Sequence, residues 1–186
     1  MLVASADLGK LLSGKYLLLD TDFLSEVYEN PELLKFFLGF AEHSFLMRED
    51  MVVFEFLRDV FLPEYMIKKE EFIDKEIFNP TNNHPDIFRK LQKNALLLSK
   101  IYAHKGKAKN ISNTDLFLAA RMMLLPKNSL LITGNRKDYP ACIFELEGVI
   151  NTENTKNETI RSFVALKFNN DKFTQCYREL LKLKIK

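Results

Sequence analysis

The run Tyr16-Leu17-Leu18-Leu19-Asp20-Thr21-Asp22 decides how the rest of the chain is arranged. Its first part is apolar without a break and ends abruptly in three polar residues, which is typical of a short buried strand. In open α/β sheets, functional groups collect at the carboxyl ends of the strands. We therefore expect Asp20 to stand at the end of a buried strand, where a functional site can form.

Helical and strand patterns alternate along the residues that follow this run. Apolar positions recur with helical spacing through Phe23, Leu24 and Val27, and Pro31 suits the first turn of a second helix. The other predicted elements are helices at 51–62, 86–104, 113–125 and 171–184, strands at 44–47, 129–133, 142–144, 149–150 and 160–168, and helical pieces with a loop at 63–85. This order predicts an α/β fold with a mainly parallel central sheet flanked by helices, followed by a C-terminal β-β-α extension.

Composition limits the class of protein and the number of domains. The 186 residues are 47% hydrophobic and 28% charged, as in a globular protein with one substantial core. We expect an N-terminal extension at 1–15, one domain at 16–140 and an extension at 141–186 packed on that domain. The net charge of +2 neither demands nor excludes a nucleic-acid partner.

Cysteine use and hydropathy indicate the compartment. Cys142 and Cys176 form neither a disulfide framework nor a CxxC metal motif, so we expect reduced thiols. No segment reaches the roughly 18–20 apolar residues that a membrane-spanning helix needs. The sequence therefore predicts a cytoplasmic protein with no membrane partner.

Three carboxylates stand beside apolar runs, where a negative charge is costly unless it is hydrogen-bonded, paired or bound to a metal. Asp20 closes the first strand, Glu55 interrupts the apolar stretch 51–57, and Asp115 precedes the stretch 116–120. Hard cations such as Mg²⁺ and Mn²⁺ prefer oxygen ligands. Their joint arrangement suggests one shared divalent-ion site.

Each of these residues also has a purely structural interpretation. Asp20 or Asp22 could cap the helix that follows the first strand. Asp115 could be the acidic member of a capping box with Ser112. Glu55 could form an ion pair with Arg48 or Arg58.

Four stretches, in this order and spacing, resemble the PIN-domain family of metal-dependent nucleases. They are Leu-Leu-Leu-Asp20-Thr-Asp22-Phe-Leu-Ser25, Val-Val-Phe-Glu55-Phe-Leu, Asn-Thr-Asp115-Leu-Phe-Leu-Ala-Ala and Leu-Leu-Ile-Thr133-Gly-Asn135-Arg-Lys-Asp138-Tyr. The resemblance implies a PIN-like fold over 16–140 and Mg²⁺ or Mn²⁺ bound by Asp20, Glu55 and Asp115. A polar or acidic residue after the Thr133 strand would complete the site, and Asn135 and Asp138 are both candidates.

The sequence departs from the family at two points. Asp22 stands where the family often has Asn, which adds a possible metal ligand, and residues 63–85 and 141–186 make the chain longer than the compact VapC-type toxins. A haloacid-dehalogenase-like phosphohydrolase is a rival interpretation of Asp20-Thr21-Asp22. The acids expected downstream in that family are poorly matched here, because Asp138 and Glu145 follow Thr133 too closely.

These observations predict a divalent-metal-dependent endoribonuclease. The expected catalytic residues are Asp20, Glu55, Asp115 and Asn135. The expected metal ligands are Asp20, Asp22, Glu55, Asp115 and Asp138. The expected substrate contacts are Thr133, Lys105, Lys107 and Lys109.

The expected substrate is single-stranded or structured RNA, and the resemblance implies products with 5′-phosphate and 3′-hydroxyl ends. A homodimer, and an antitoxin or other protein partner, remain open. The alternative function is a PIN-like nucleic-acid-binding or assembly module with little turnover. In that case the strand around 163–168 would cover a sheet edge or present one to a partner.

Overall fold

The computed structural model describes residues 2–3, 8–58, 60–106, 111–154 and 159–182. The strands are β1 (Leu2–Val3), β2 (Tyr16–Leu19), β3 (Phe45–Arg48), β4 (Phe78–Pro80), β5 (Ser129–Thr133), β6 (Phe144–Asn154) and β7 (Thr159–Phe168). Within the described residues they form one seven-stranded sheet in the order β1-β6-β7-β5-β2-β3-β4. The α/β class predicted from the sequence is confirmed.

Residues 16–19 form the predicted buried strand, β2, in the parallel part of the sheet. β2 pairs in parallel with β3 on one side and with β5 on the other, and β3 pairs in parallel with β4. All of β2 beyond Tyr16 is buried. Because Leu19 is in register with Ile132, Asp20 and Thr133 lie side by side at the carboxyl ends of β2 and β5.

The other part of the sheet is antiparallel. β7 pairs with β5, β6 with β7, and β1 with β6. Two short strands were predicted at 142–144 and 149–150, but β6 is a single strand with a register shift between Leu146 and Gly148, and residues 142–143 lie in a turn. Residues 163–168 were expected either to cover a sheet edge or to present one to a partner. They belong to β7, which lies inside the sheet between β6 and β5 and so covers the edge of β5.

Helices cover the sheet and connect its strands. They are α1 (Leu8–Leu12), α2 (Thr21–Glu29), α3 (Pro31–Phe40), α4 (Asp50–Arg58), α5 (Pro63–Ile73), α6 (Pro85–His104), α7 (Asn113–Met122) and α8 (Asn170–Lys182). None of the described helices is long and apolar enough to cross a membrane.

Two predicted helix ends were wrong, and one strand was not predicted. α4 was expected to reach residue 62 and ends at Arg58, and α7 was expected to reach 125 and ends at Met122. The strand that was not predicted is β4, which pairs with β3. β4 is short and buries only Phe78, so it leaves no alternating pattern in the sequence.

Candidate functional site

Asp20 lies at the point where β2 becomes α2. Its carboxylate accepts hydrogen bonds from the Thr21 N–H at 2.7 Å and from the Thr133 hydroxyl at 2.6 Å. It is the N-cap of α2, as the structural interpretation predicted, and only 6% of it is exposed. The hydrogen bond from Thr133 holds this carboxylate against the end of β5.

Asp22 lies in the first turn of α2 and faces the turn after β5. One carboxylate oxygen accepts the Phe23 N–H at 2.7 Å, and the other accepts the Gly134 N–H at 2.8 Å. A Cβ atom at Gly134 would lie 2.5 Å from Asp22 Oδ2. A side chain at that position would therefore displace the carboxylate.

Asp115 is fixed by contacts on both of its carboxylate oxygens. It forms the predicted capping box with Ser112: Oδ2 accepts from the Ser112 N–H at 3.2 Å and from its hydroxyl at 2.6 Å, and the Asp115 N–H donates to that hydroxyl oxygen. Oδ1 accepts the buried Tyr139 hydroxyl at 3.0 Å. Capping and membership of the acidic cluster, which the sequence presented as alternatives, occur together at this residue.

The charge of Asp115 acts on the pKa values of both Asp20 and Asp22. Burial, together with the negative charges of Asp22 and Asp115, raises the pKa of Asp20 to about 8, although the hydrogen bonds from Thr133 and Thr21 act to lower it. Burial also raises the pKa of Asp22, and the Asp115 charge acts in the same direction. We call Asp20, Asp22 and Asp115 the acidic cluster.

Glu55 contacts the start of α2 through Thr21. Its carboxylate accepts the Thr21 hydroxyl at 2.6 Å and lies 3.7 Å from the Arg58 guanidinium, as one structural interpretation predicted. Arg48, the other proposed partner, is paired with Asp74. Glu55 is thus hydrogen-bonded to the residue that lies between Asp20 and Asp22 in the sequence.

The turn after β5 holds the remaining predicted site residues. The Asn135 N–H donates to the Thr133 hydroxyl oxygen at 3.0 Å, and the Asn135 amide donates to the Asp138 carboxylate. Asn135 and Asp138 are therefore hydrogen-bonded to each other, and Asn135 is connected to Asp20 through Thr133.

A cationic cleft adjoins this turn. Lys105, Arg136 and Lys137 line it together with Asn135 and Tyr139, and its volume is about 780 Å³. Lys105 also forms an ion pair with Glu179 at 3.0 Å. The predicted substrate contacts Lys107 and Lys109 lie outside the described residues.

Sequence reasoning missed several residues that position this site. Tyr139 is fully buried against the cluster, and burial together with the charges of Asp20 and Asp115 raises its pKa well above the usual value. An aromatic residue directly after Asp138, in an otherwise polar turn, was the sequence feature that could have indicated its burial. Gly134 was noted only as part of a turn, because its contact with Asp22 joins residues distant in sequence.

The cluster was also tested as a site for a divalent ion. In the part of the chain that the structure describes, no three or more His, Cys, Asp or Glu side chains are arranged as a metal-binding group. The donor chemistry fits a hard cation, because these are buried carboxylates whose mutual repulsion a cation would relieve. A carboxylate oxygen has two lone pairs, so Asp20 and Asp22, with one described hydrogen bond per oxygen, keep acceptor capacity.

Comparison with known proteins gives no relative for this chain. No family model matches it, and neither the curated proteins nor the solved structures include a similar one. The interpretation of the site therefore rests on the residues and geometry described above.

Proposed function

We propose that this protein is a divalent-metal-dependent endoribonuclease with a PIN-like domain over 16–140 and an added β-β-α segment at 141–186. The observation that supports the proposal is the acidic cluster itself. Two of its carboxylates have raised pKa values at the carboxyl edge of a parallel sheet, where α/β proteins place their active sites.

In this proposal the cluster binds Mg²⁺ or Mn²⁺ mainly through Asp20 and Asp22. Asp115 contributes through Oδ1, because Oδ2 already accepts two hydrogen bonds from Ser112. When bound, the ion would neutralise phosphate charge and lower the pKa of an attacking water. Thr133 orients Asp20, and Tyr139 orients Asp115. Thr133 and Tyr139 are therefore positioning residues.

The cationic cleft supplies the contacts that an RNA backbone needs. Lys105, Arg136 and Lys137 lie beside the turn that contacts Asp22 through Gly134. Phosphate contacts of this kind position a nucleic acid without selecting its sequence. Asn135 and Asp138, held together on the same turn, would contact the water or the substrate next to the ion.

The test is cleavage of single-stranded RNA by the purified protein with Mn²⁺, with and without EDTA. The wild-type protein should cut only with the metal and leave 5′-phosphate and 3′-hydroxyl ends, and Asp115→Asn should be inactive. Asp86→Asn is the matched control, since Asp86 is also in the first turn of a helix but is exposed. Cleavage that persists in EDTA and leaves 2′,3′-cyclic phosphates would refute the proposal.

A binding or assembly module with little turnover is the second candidate. The engagement of Glu55 with Thr21 and Arg58, and the neutral Asn135 at the fourth position, favour it. Calorimetric titration with Mn²⁺ separates the two functions. The module would show no Mn²⁺ binding and would bind RNA equally well in EDTA.

A further inference from the structure

The two cysteines of the chain meet at the cationic cleft. Cys142 is half-buried in the turn before β6, where it lines the cleft, and Cys176 is buried in α8. The Cys176 S–H donates to the Cys142 carbonyl oxygen at 3.5 Å. Burial and the neighbouring Cys176 thiol together raise the pKa of Cys142 to about 11. The fold therefore places side by side two thiols that are 34 residues apart in the sequence.

This contact is close enough for a disulfide. The Cβ atoms of a disulfide are about 3.5–4.5 Å apart, and cysteines whose side chains point away from each other cannot be joined without backbone movement. Here the Cys176 sulfur already contacts the Cys142 backbone, and the two thiols act on each other. Rotation about the Cα–Cβ bonds, rather than movement of the backbone, then brings the two sulfurs together.

A bound metal ion is the other common role of paired thiols. Structural zinc sites need four ligands, and catalytic zinc sites need three from the protein. In the parts of the chain that the structure describes, no group of three His, Cys, Asp or Glu side chains could hold a metal ion. Two thiols without a third ligand favour a disulfide over a metal site.

Cys176 is also the deepest anchor of α8. It is the one buried residue among the described positions of this helix, 170–182. One turn further on, Glu179 forms an ion pair at 3.0 Å with Lys105, which lines the cationic cleft. A covalent bond from Cys176 to Cys142 would hold α8 against the wall of the cleft and keep Glu179 beside Lys105.

We infer that Cys142 and Cys176 form a reversible disulfide that tethers α8 to the wall of the cationic cleft. The oxidant is a low-molecular-weight disulfide such as oxidised glutathione. The Cys142 thiolate, which is the more accessible one, attacks this disulfide and releases one glutathione thiolate. The Cys176 thiolate then attacks the Cys142 sulfur and releases the second. The two glutathione thiolates take up the two protons, so two protein thiols are oxidised and one glutathione disulfide is reduced. Nuclease activity is not needed for this reaction.

The test is the equilibrium of the wild-type protein with mixtures of oxidised and reduced glutathione. The reaction is run at about pH 8.5, because only the thiolate reacts, and with EDTA to exclude metals. After an acid quench, free thiols are blocked with N-ethylmaleimide, and mass spectrometry identifies the peptide pair that carries Cys142 and Cys176. The same protein in urea is the matched control, because it has both thiols without the fold that brings them together. In a second control, Cys176→Ala, the remaining Cys142 can form only a glutathione adduct or an intermolecular bond.

The folded protein should form the Cys142–Cys176 bond at least about tenfold more favourably than the unfolded chain, because the fold holds the thiols in contact. Amide hydrogen exchange in α8 should be slower in the oxidised than in the reduced protein, and dithiothreitol should reverse both changes. An equal or weaker tendency to form the bond in the folded protein would overturn the inference. Glutathione adducts or intermolecular dimers of the wild type in place of the bond, or unchanged exchange in α8, would also overturn it.

Discussion

A carboxylate that accepts a backbone N–H at the start of a helix ordinarily has a lowered pKa, because the hydrogen bond and the helix dipole both favour its charged form. Asp20 accepts such a bond from Thr21 and another from the Thr133 hydroxyl. Its pKa is nevertheless raised to about 8, because burial and the neighbouring Asp22 and Asp115 charges outweigh both bonds. Its ionisation therefore opposes folding unless a cation is present.

This shift predicts how stability depends on pH. The pKa of Asp20 is about 8 in the folded state, against an ordinary value of 3.8. The stabilisation that the protonated Asp20 gives the folded state is therefore fully present below about pH 4 and is lost as the pH rises to about 8. The corresponding free energy is on the order of 5 kcal/mol. Urea unfolding in EDTA should show wild-type stability falling from about pH 5 to about pH 8, and a smaller fall in Asp20→Asn.

The control for this prediction is Asp86→Asn, at an exposed position of α6. It should retain the wild-type dependence on pH. An Asp20→Asn variant that loses stability over this range as steeply as the wild type would show that Asp20 is not the group responsible.

At this scale the sequence predicted part of how the carboxylates are held. The capping box of Asp115 with Ser112 was expected and is present, and the charges of Asp22 and Asp115 both act on Asp20. The Tyr139 contact could not be predicted, because it depends on how the turn after β5 packs against α7.

Between elements, a buried ion pair joins the start of α4 to α7. Arg121 Nε and Nη2 lie 2.6 Å and 3.0 Å from the two carboxylate oxygens of Glu49, and both side chains are almost fully buried. Thr81 donates to the same carboxylate at 2.8 Å, and Arg121 also donates to the Asn82 carbonyl at 2.9 Å. This network fixes the segment between β4 and α6 against the helix that positions Asp115.

Arg121→Met should therefore lower the free energy of unfolding by about 3–5 kcal/mol, because it leaves the Glu49 carboxylate buried without its cation. Urea unfolding measures this change. The control Arg89→Met breaks an exposed pair with Asp86 and should cost less than about 1 kcal/mol. Equal costs for the two variants would contradict a buried, geometrically fixed pair.

The turn between β5 and Asp138 depends on a small residue at Gly134. Gly134→Ala would push the Asp22 carboxylate aside and should cost about 1–3 kcal/mol in urea unfolding, as overpacking does. Gly39→Ala is the matched control, because its Cβ meets nothing within 4 Å in the last turn of α3, and it should leave the stability unchanged or raise it by up to about 1 kcal/mol. A Gly134→Ala variant as stable as the wild type would mean that the Asp22 carboxylate can move aside at no cost.

Element prediction succeeded where the apolar pattern was strong. β2 and β5 were located closely because each is an unbroken apolar run, and α6 because its buried positions recur with helical spacing. β4 was missed because a three-residue edge strand has too few buried positions to form a pattern. The division of β6 in the prediction has a similar cause, since its register shift near Gly148 interrupts the alternation of the strand.

Over the whole molecule, the sheet separates charge between its two ends. The acidic cluster lies at the carboxyl ends of β2 and β5, and a group of lysines, Lys10, Lys15, Lys127 and Lys167, lies near their amino ends. The sequence predicted the first because its acids directly follow or precede apolar runs. It did not predict the second, because Lys15, Lys127 and Lys167 are far apart in the chain and meet only through strand pairing.

The most direct measurement of the central claim is the thermal unfolding of the wild type and Asp115→Asn, each in EDTA and in Mn²⁺. If the acidic cluster binds the ion, Mn²⁺ raises the melting temperature of the wild type by mass action. Asp115→Asn then loses most of the Mn²⁺ shift, whereas its melting temperature in EDTA reflects two opposing changes, the loss of a repelling charge and the loss of the capping box with Ser112. An Asp115→Asn variant that keeps the full Mn²⁺ shift would contradict the claim.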